Sequence, residues 1–102
     1  MKEFLYVGHY IDQNGRYILK IGTTNDLKRR QKEHNRNYEA DFVYDWHLKL
    51  SKYNTLRYED LNRERWKDQK VGEFVRNDRF VCAEKPTAVT IKIKKLYEIA
   101  LN

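Results

Sequence analysis

Phe4-Leu-Tyr-Val-Gly-His-Tyr-Ile-Asp-Gln-Asn-Gly-Arg-Tyr-Ile-Leu-Lys-Ile-Gly22 is the stretch on which the fold turns. Two β-branched and aromatic runs, Phe4 to Ile11 and Arg16 to Gly22, flank Asp12-Gln-Asn-Gly15, and the Asn14-Gly15 pair favours positive φ in a hairpin turn. An N-terminal hairpin is therefore expected. Gly22-Thr-Thr-Asn-Asp26 then offers Thr24 or Asn25 as a helix N-cap, with Asp26 in the first turn where the helix dipole favours an anion. The helix should run from about Asp26 to His34.

Further along, Phe42, Tyr44, Trp46, Leu48 and Leu50 alternate with mostly polar neighbours, the period of a half-buried third strand. Asn54 can cap a second helix through Trp66, on which Leu56, Glu59, Arg63 and Trp66 share a face. Val71-Gly-Glu-Phe74 and Arg79-Phe-Val-Cys82, separated by an Asn77-Asp78 turn, read as short strands or loop. From Pro86 to Ala100 the apolar residues Val89, Ile93, Leu96 and Ala100 have helical spacing, whereas Val89, Ile91 and Ile93 also alternate like a strand; the helix is the reading adopted. The expected fold is α+β: one domain over residues 1–102, with a small β-sheet begun by the N-terminal hairpin and flanked by helices.

A chain of 102 residues buries roughly two-thirds of its unfolded surface, enough for one core. Lys and Arg number 21 against 15 Asp and Glu, and the net charge of +6 favours a polyanionic partner. The excess is concentrated in Lys28, Arg29, Arg30, Lys32 and Arg36, opposed there only by Glu33. One cysteine, Cys82, excludes an intrachain disulfide framework and a cysteine zinc site and suits a reducing compartment, so a cytoplasmic protein is expected. No apolar run approaches the ~20 residues of a membrane-spanning helix, and the N-terminus opens into a strand rather than a signal peptide.

Helical spacing places Leu27, Arg30 and His34 on one face, so Leu27 can anchor in the core while Arg30 and His34 flank a cleft beside Gly22. Arginine suits such a place because its planar fork holds two phosphate oxygens and stays charged. The plainer reading makes Arg30 a solvated cation and His34 a helix end. With Tyr6 in the first strand and Lys20-Ile-Gly22 closing the second, the pattern resembles the GIY-YIG nuclease superfamily, in a KIG-variant subgroup common in phage and bacterial proteins. Gly22, Arg30 and His34 match that family's spacing, Glu59 looks like its later-helix glutamate, and Gly72-Glu-Phe74 looks like a further element. The likeness covers roughly residues 4 to 82.

Two departures stand out. Lys20 replaces the second tyrosine, and lysine accepts a proton from water only where desolvation or nearby cations lower its pKa toward ~7 or 8; otherwise it is a phosphate-neutralising cation. Arg63 stands where the subgroup often has histidine. There is also an ambiguity, because Gly8-His-Tyr10 reads as a tyrosine block too. Pairing about Asn14-Gly15 sets Lys20 opposite Val7 or Gly8 and favours Tyr6, leaving Tyr10 as an alternative or an accessory contact.

The resemblance implies a metal-dependent endonuclease that hydrolyses nucleic-acid phosphodiester bonds, DNA being the first expectation. Tyr6, Lys20, Arg30, His34 and Glu59 would be catalytic, and Glu59 would hold Mg²⁺ or Mn²⁺. Against this, Glu59 and Arg63 form an ordinary i,i+4 ion pair if the helix is only a surface element. Lys28, Arg29, Lys32 and Arg36, with Tyr10 and an exposed Tyr38 for stacking, would contact nucleic acid. Small size suggests low intrinsic specificity, with a homodimer or partner protein supplying the rest. Two other classes compete: an inactive nucleic-acid-binding module of the same fold, and a basic protein-interaction domain.

Overall fold

The computed structural model describes residues 4–50, 72–76, 79–82 and 84–101. The hairpin forms as expected: β1 (Phe4–Ile11) and β2 (Tyr17–Thr24) pair antiparallel from Phe4 opposite Thr24 to Ile11 opposite Tyr17, and Lys20 faces Gly8 across the ladder. The turn differs from expectation. Gly15 takes positive φ (77°), but Asn14 does not, and the connection is the longer segment 12–16. Asp12 organises it: one carboxylate oxygen accepts the N–H groups of Asn14 and Arg16, both at 2.9 Å, and its carbonyl accepts that of Gly15 at 3.0 Å. An aspartate satisfying local backbone donors is a recurrent turn device.

Beyond the hairpin come α1 (Leu27–Tyr38), β3 (Val43–Lys49), β4 (Gly72–Arg76), β5 (Arg79–Cys82) and α2 (Pro86–Leu101). The five strands form an antiparallel sheet in the order β3-β1-β2-β5-β4. Successive residues of β1 and β2 point to opposite faces, and both faces are covered. Leu5, Val7, Leu19, Ile21 and Phe80 pack with Val89 and Ile93 of α2, while Tyr6, Tyr10, Ile18 and Phe42 pack with Leu27 and Tyr38 of α1. Burial on both sides is why β1 reads as an almost continuous apolar run rather than an alternating one.

In α2, Val89 and Ile93 are buried and the intervening Ile91 is 55 % exposed, the three-to-four-residue period of a helix and not the two of a strand. The third strand is less regular than its sequence. Val7 pairs with Trp46 but Gly8 pairs with Tyr44, so Asp45 is bulged out of the β1–β3 ladder. Phe42 and Tyr44 consequently join the α1 side, whereas Trp46 and Leu50 join the α2 side; the expected single apolar face is split in two. The bulged Asp45 carboxylate lies 2.7 Å from His9 Nδ1. Phe42 also explains Gly8, since a Cβ there would come within 2.3 Å of the Phe42 ring and 2.6 Å of the Val43 carbonyl oxygen.

Candidate active site

Asp26, not Thr24 or Asn25, is the N-cap of α1: it has extended backbone and its side chain accepts the Arg29 N–H at 3.0 Å. Thr24 Oγ1 instead accepts from the Asp26 N–H at 3.1 Å. The helix runs one turn past His34 to Tyr38 and stops at Glu39, which adopts the left-handed region at φ 50°. That extra turn is secured by packing, because Tyr38 stacks on Tyr10 with ring centres 4.4 Å apart. One flank of α1 is tied to the chain entering β3: Gln31 Nε2 donates to the Phe42 carbonyl at 2.8 Å, and Asn35 Oδ1 accepts the Phe42 N–H at 2.7 Å. The other flank, carrying Arg30, is thereby turned toward β2 and β5.

The inner face of α1 delivers His34, 3 % exposed, onto β1, where its Nε2 and the Tyr6 hydroxyl lie 2.7 Å apart. Tyr6 has no exposed surface and is enclosed by His34, Phe42 and Tyr44. Gly22, opposite Tyr6 in the ladder, makes room for it: a Cβ at Gly22 would meet the Tyr6 hydroxyl oxygen at 2.5 Å. The Arg30 guanidinium reaches the same hydroxyl, and its Nη1 donates to Glu33 at 2.9 Å. Arg30 Nε is buried with no hydrogen-bond partner among the described residues, although the side chain as a whole is 39 % exposed. A buried charged donor without an acceptor is costly and suits an anion arriving from outside.

Burial raises the Tyr6 phenol well above its ordinary range, with Arg30 opposing the rise, and burial pushes Tyr44 up to about 12. Tyr6 is therefore a protonated phenol at neutral pH. Arginine can only donate, so the arrangement that satisfies all three groups has Arg30 donating to the Tyr6 oxygen and the Tyr6 O–H donating to His34 Nε2. Tyr6 can then take a proton from water only while passing its own to His34.

The raised phenols carry a stability prediction. An acid whose folded pKa exceeds its unfolded value contributes stability that is complete below the unfolded pKa and is lost as pH rises through the folded one. For Tyr44 that window runs from 10.0 to about 12, and Cys82, pushed by burial from 9.0 to about 11, acts in the same sense from a lower pH. The melting temperature should fall as pH rises from 9 toward 12, and Tyr44→Phe should flatten the fall above pH 10. Equal slopes for Tyr44→Phe and wild type in thermal melts would refute the assignment to Tyr44.

Lys20, 6 % exposed, is two residues before Gly22 in β2, opposite Gly8 on one side and Arg79 of β5 on the other. Tyr10 is 6 % exposed, and its hydroxyl accepts from Arg79 Nη1 at 3.0 Å, which leaves little surface for the nucleic-acid contact expected of it. Tyr38 is half-buried rather than exposed, with Tyr10, His34 and the Arg79 guanidinium all against its ring, the last at 4.8 Å, so it is not an open stacking platform. Lys28, Arg29, Lys32 and Arg36 are exposed, but they do not surround the site. Lys28, Lys32 and Arg36 form a stripe roughly a third to nearly half a turn around α1 from Arg30. Arg29 bonds Asn25 at 2.6 Å and meets Glu33 at 3.4 Å.

Glu59, Arg63 and the helix expected from Asn54 to Trp66 lie outside the described residues. Among the described residues no group of three His, Cys, Asp or Glu side chains is placed to hold a metal ion. Glu33, the carboxylate beside Arg30, is engaged by Arg30 and Arg29. The described part of the site therefore fits an anion and not, by itself, a metal. No described helix is long and apolar enough to cross a membrane.

A family model, the T5orf172 domain, matches residues 3–85. The chain belongs to the T5orf172 domain family. This family is phage-associated and, in general, nuclease-associated. Comparison with curated proteins and with solved structures returned no match. The T5orf172 match takes in all five strands and the Tyr6, Arg30 and His34 group, and it ends before α2, whose Val89 and Ile93 complete the second core. Arg79, which sequence reasoning passed over, lies inside the T5orf172 match; only the register of β5 against β2 places it beside Lys20.

Proposed function

We propose that this T5orf172 domain is a metal-dependent endonuclease of GIY-YIG type, hydrolysing phosphodiester bonds in nucleic acid, DNA first. The observation that carries the reading is the Tyr6–His34 contact of 2.7 Å, built over Gly22 and beside an Arg30 whose buried Nε has no described acceptor. Arg30 binds the scissile phosphate through the exposed part of its fork and stabilises the charge that grows on the phosphoryl oxygens. Since Tyr6 is covered, substrate enters by way of Arg30, the group's solvent-exposed member. The attacking water gives a proton to the Tyr6 oxygen as Tyr6 gives its own to His34 Nε2, so no phenolate is required. Lys20 adds positive charge beneath the phosphate, or serves as the proton acceptor itself. Glu59 as the holder of Mg²⁺ or Mn²⁺ rests on the resemblance; bound there, the ion would supply further positive charge for the phosphoryl oxygens.

The test is supercoiled plasmid incubated with and without Mg²⁺. Wild type should yield nicked or linear product only with the metal, and Glu59→Gln should bind the same DNA while cleaving it at least tenfold more slowly. Undiminished cleavage by Glu59→Gln, with contaminating nuclease excluded, removes Glu59 from the site. The complete burial of Tyr6 favours a second reading, a nucleic-acid-binding module without catalysis. That reading predicts salt-dependent binding by wild type and no product on any plasmid or oligonucleotide.

A further inference from the structure

Cross-strand partners in an antiparallel ladder share a face of the sheet, so the register places Gly8, Lys20 and Arg79 in one row across β1, β2 and β5. Lys20 and Arg79 are thus direct cross-strand neighbours, two residues along β2 from the Gly22 that lies opposite Tyr6. Lys20 is buried at the inner end of the row, and Arg79, partly exposed, follows it.

Arg79 is also held in a defined place. Its Nη1 donates to the Tyr10 hydroxyl at 3.0 Å, and its guanidinium lies 4.8 Å from the centre of the Tyr38 ring. Tyr38 stacks at 5.1 Å on His34, the residue bonded to Tyr6. A guanidinium fixed by a phenol and an aromatic face loses little rotamer freedom on meeting a ligand, and its fork suits phosphate oxygens. The position relative to α1 matters as much. Because Gln31 and Asn35 tie the other flank of the helix to Phe42, the flank bearing Arg30 turns toward β2 and β5, where Lys20 and Arg79 lie. The stripe of Lys28, Lys32 and Arg36 is on a different side of the helix.

We infer that Arg79 is a substrate-binding residue that grips a phosphate flanking the scissile one held by Arg30. This rests on the nuclease reading for the identity of the substrate, but it concerns binding alone and is tested without cleavage. A short DNA duplex is titrated with wild type, Arg79→Gln, Arg79→Ala and, as a control on the opposite face of the sheet, the double variant Lys94→Ala/Lys95→Ala of exposed α2 lysines in EDTA over a series of salt concentrations. Arg79→Gln keeps a planar donor for Tyr10 and removes the charge, so it separates phosphate binding from packing.

Both Arg79 variants should weaken binding about tenfold at low salt and reduce the slope of log K against log salt by about one, as expected for one lost phosphate contact. The Lys94→Ala/Lys95→Ala protein should keep a slope within half a unit of wild type. An unchanged slope in Arg79→Gln overturns the proposal, as does a wild type that binds no duplex. Failure of the nuclease reading looks different: wild type then binds with a salt slope that Arg79→Gln reduces, yet cuts nothing when Mg²⁺ is supplied.

Discussion

Arg30→Ala is expected to lower plasmid cleavage by about 10²–10³-fold, the usual cost of removing one preorganised donor to a developing oxyanion, while leaving the protein folded. The two halves of that expectation come from different atoms. The exposed part of the fork is the anion site, and its loss removes phosphate binding; the Nη1 contact with Glu33 is a partly exposed ion pair, worth at most about 1 kcal/mol, and the bond to the buried Tyr6 hydroxyl adds about 1.5 kcal/mol or more. A melting temperature lower than wild type by about 10 °C should therefore accompany the much larger loss of cleavage. Arg30→Lys separates charge from geometry: a point charge without a fork should recover only part of the rate. Cleavage by Arg30→Ala at the wild-type rate, or an equal loss of rate and of folded protein, would sink the role given to Arg30.

Gly22→Ala should be the most damaging small substitution in the site. The new Cβ would stand 2.5 Å from the Tyr6 hydroxyl oxygen and 2.7 Å from its Cζ, in a ring that has no exposed surface and no room to retreat. Overpacking of this kind costs about 1–3 kcal/mol, and for a domain of this size each kcal/mol lowers the melting temperature by roughly 4–8 °C. Displacing the hydroxyl also breaks its 2.7 Å contact with His34, so cleavage should fall about a hundredfold or more even in the fraction that remains folded. Adding Tyr6→Phe removes the closest clashing atom. The double variant should be more stable than the sum of the two single losses predicts, and strict additivity would show that Tyr6 does not press on Gly22.

Much of this site is legible in the sequence because it is written at short range. The spacing of Gly22, Arg30 and His34 needs only a strand end followed by a helix, and counting back across a short turn brings Lys20 opposite Val7 or Gly8, of which the structure has Gly8. Where several groups compete for the same backbone atoms, the reading fails. Thr24, Asn25 and Asp26 are all competent caps, and Asp26 prevails because Thr24 is occupied with the Asp26 N–H. At the hairpin, Asp12 takes the donors that a two-residue turn on Asn14-Gly15 would have left to the ladder. In β3 the alternation of Phe42, Tyr44, Trp46, Leu48 and Leu50 is real, but one bulged residue reverses its facing halfway along.

By itself the sequence determined the N-terminal hairpin, the helix after it, the third strand and the last helix, and the presence of Arg30 and His34 on one helical face, since these depend on residues near one another in the chain; β4 and β5, which it left as short strands or loop, and the choice between Val7 and Gly8 opposite Lys20 came from the structure. Only the tertiary structure decided that Tyr6 is closed over by His34, that Tyr10 and Tyr38 are packing partners for Arg79, and that the basic stripe of α1 faces away from Arg30. Those outcomes depend on which flank of α1 is fastened to Phe42 and on β5 being laid against β2, contacts between residues far apart in the chain that no local pattern encodes.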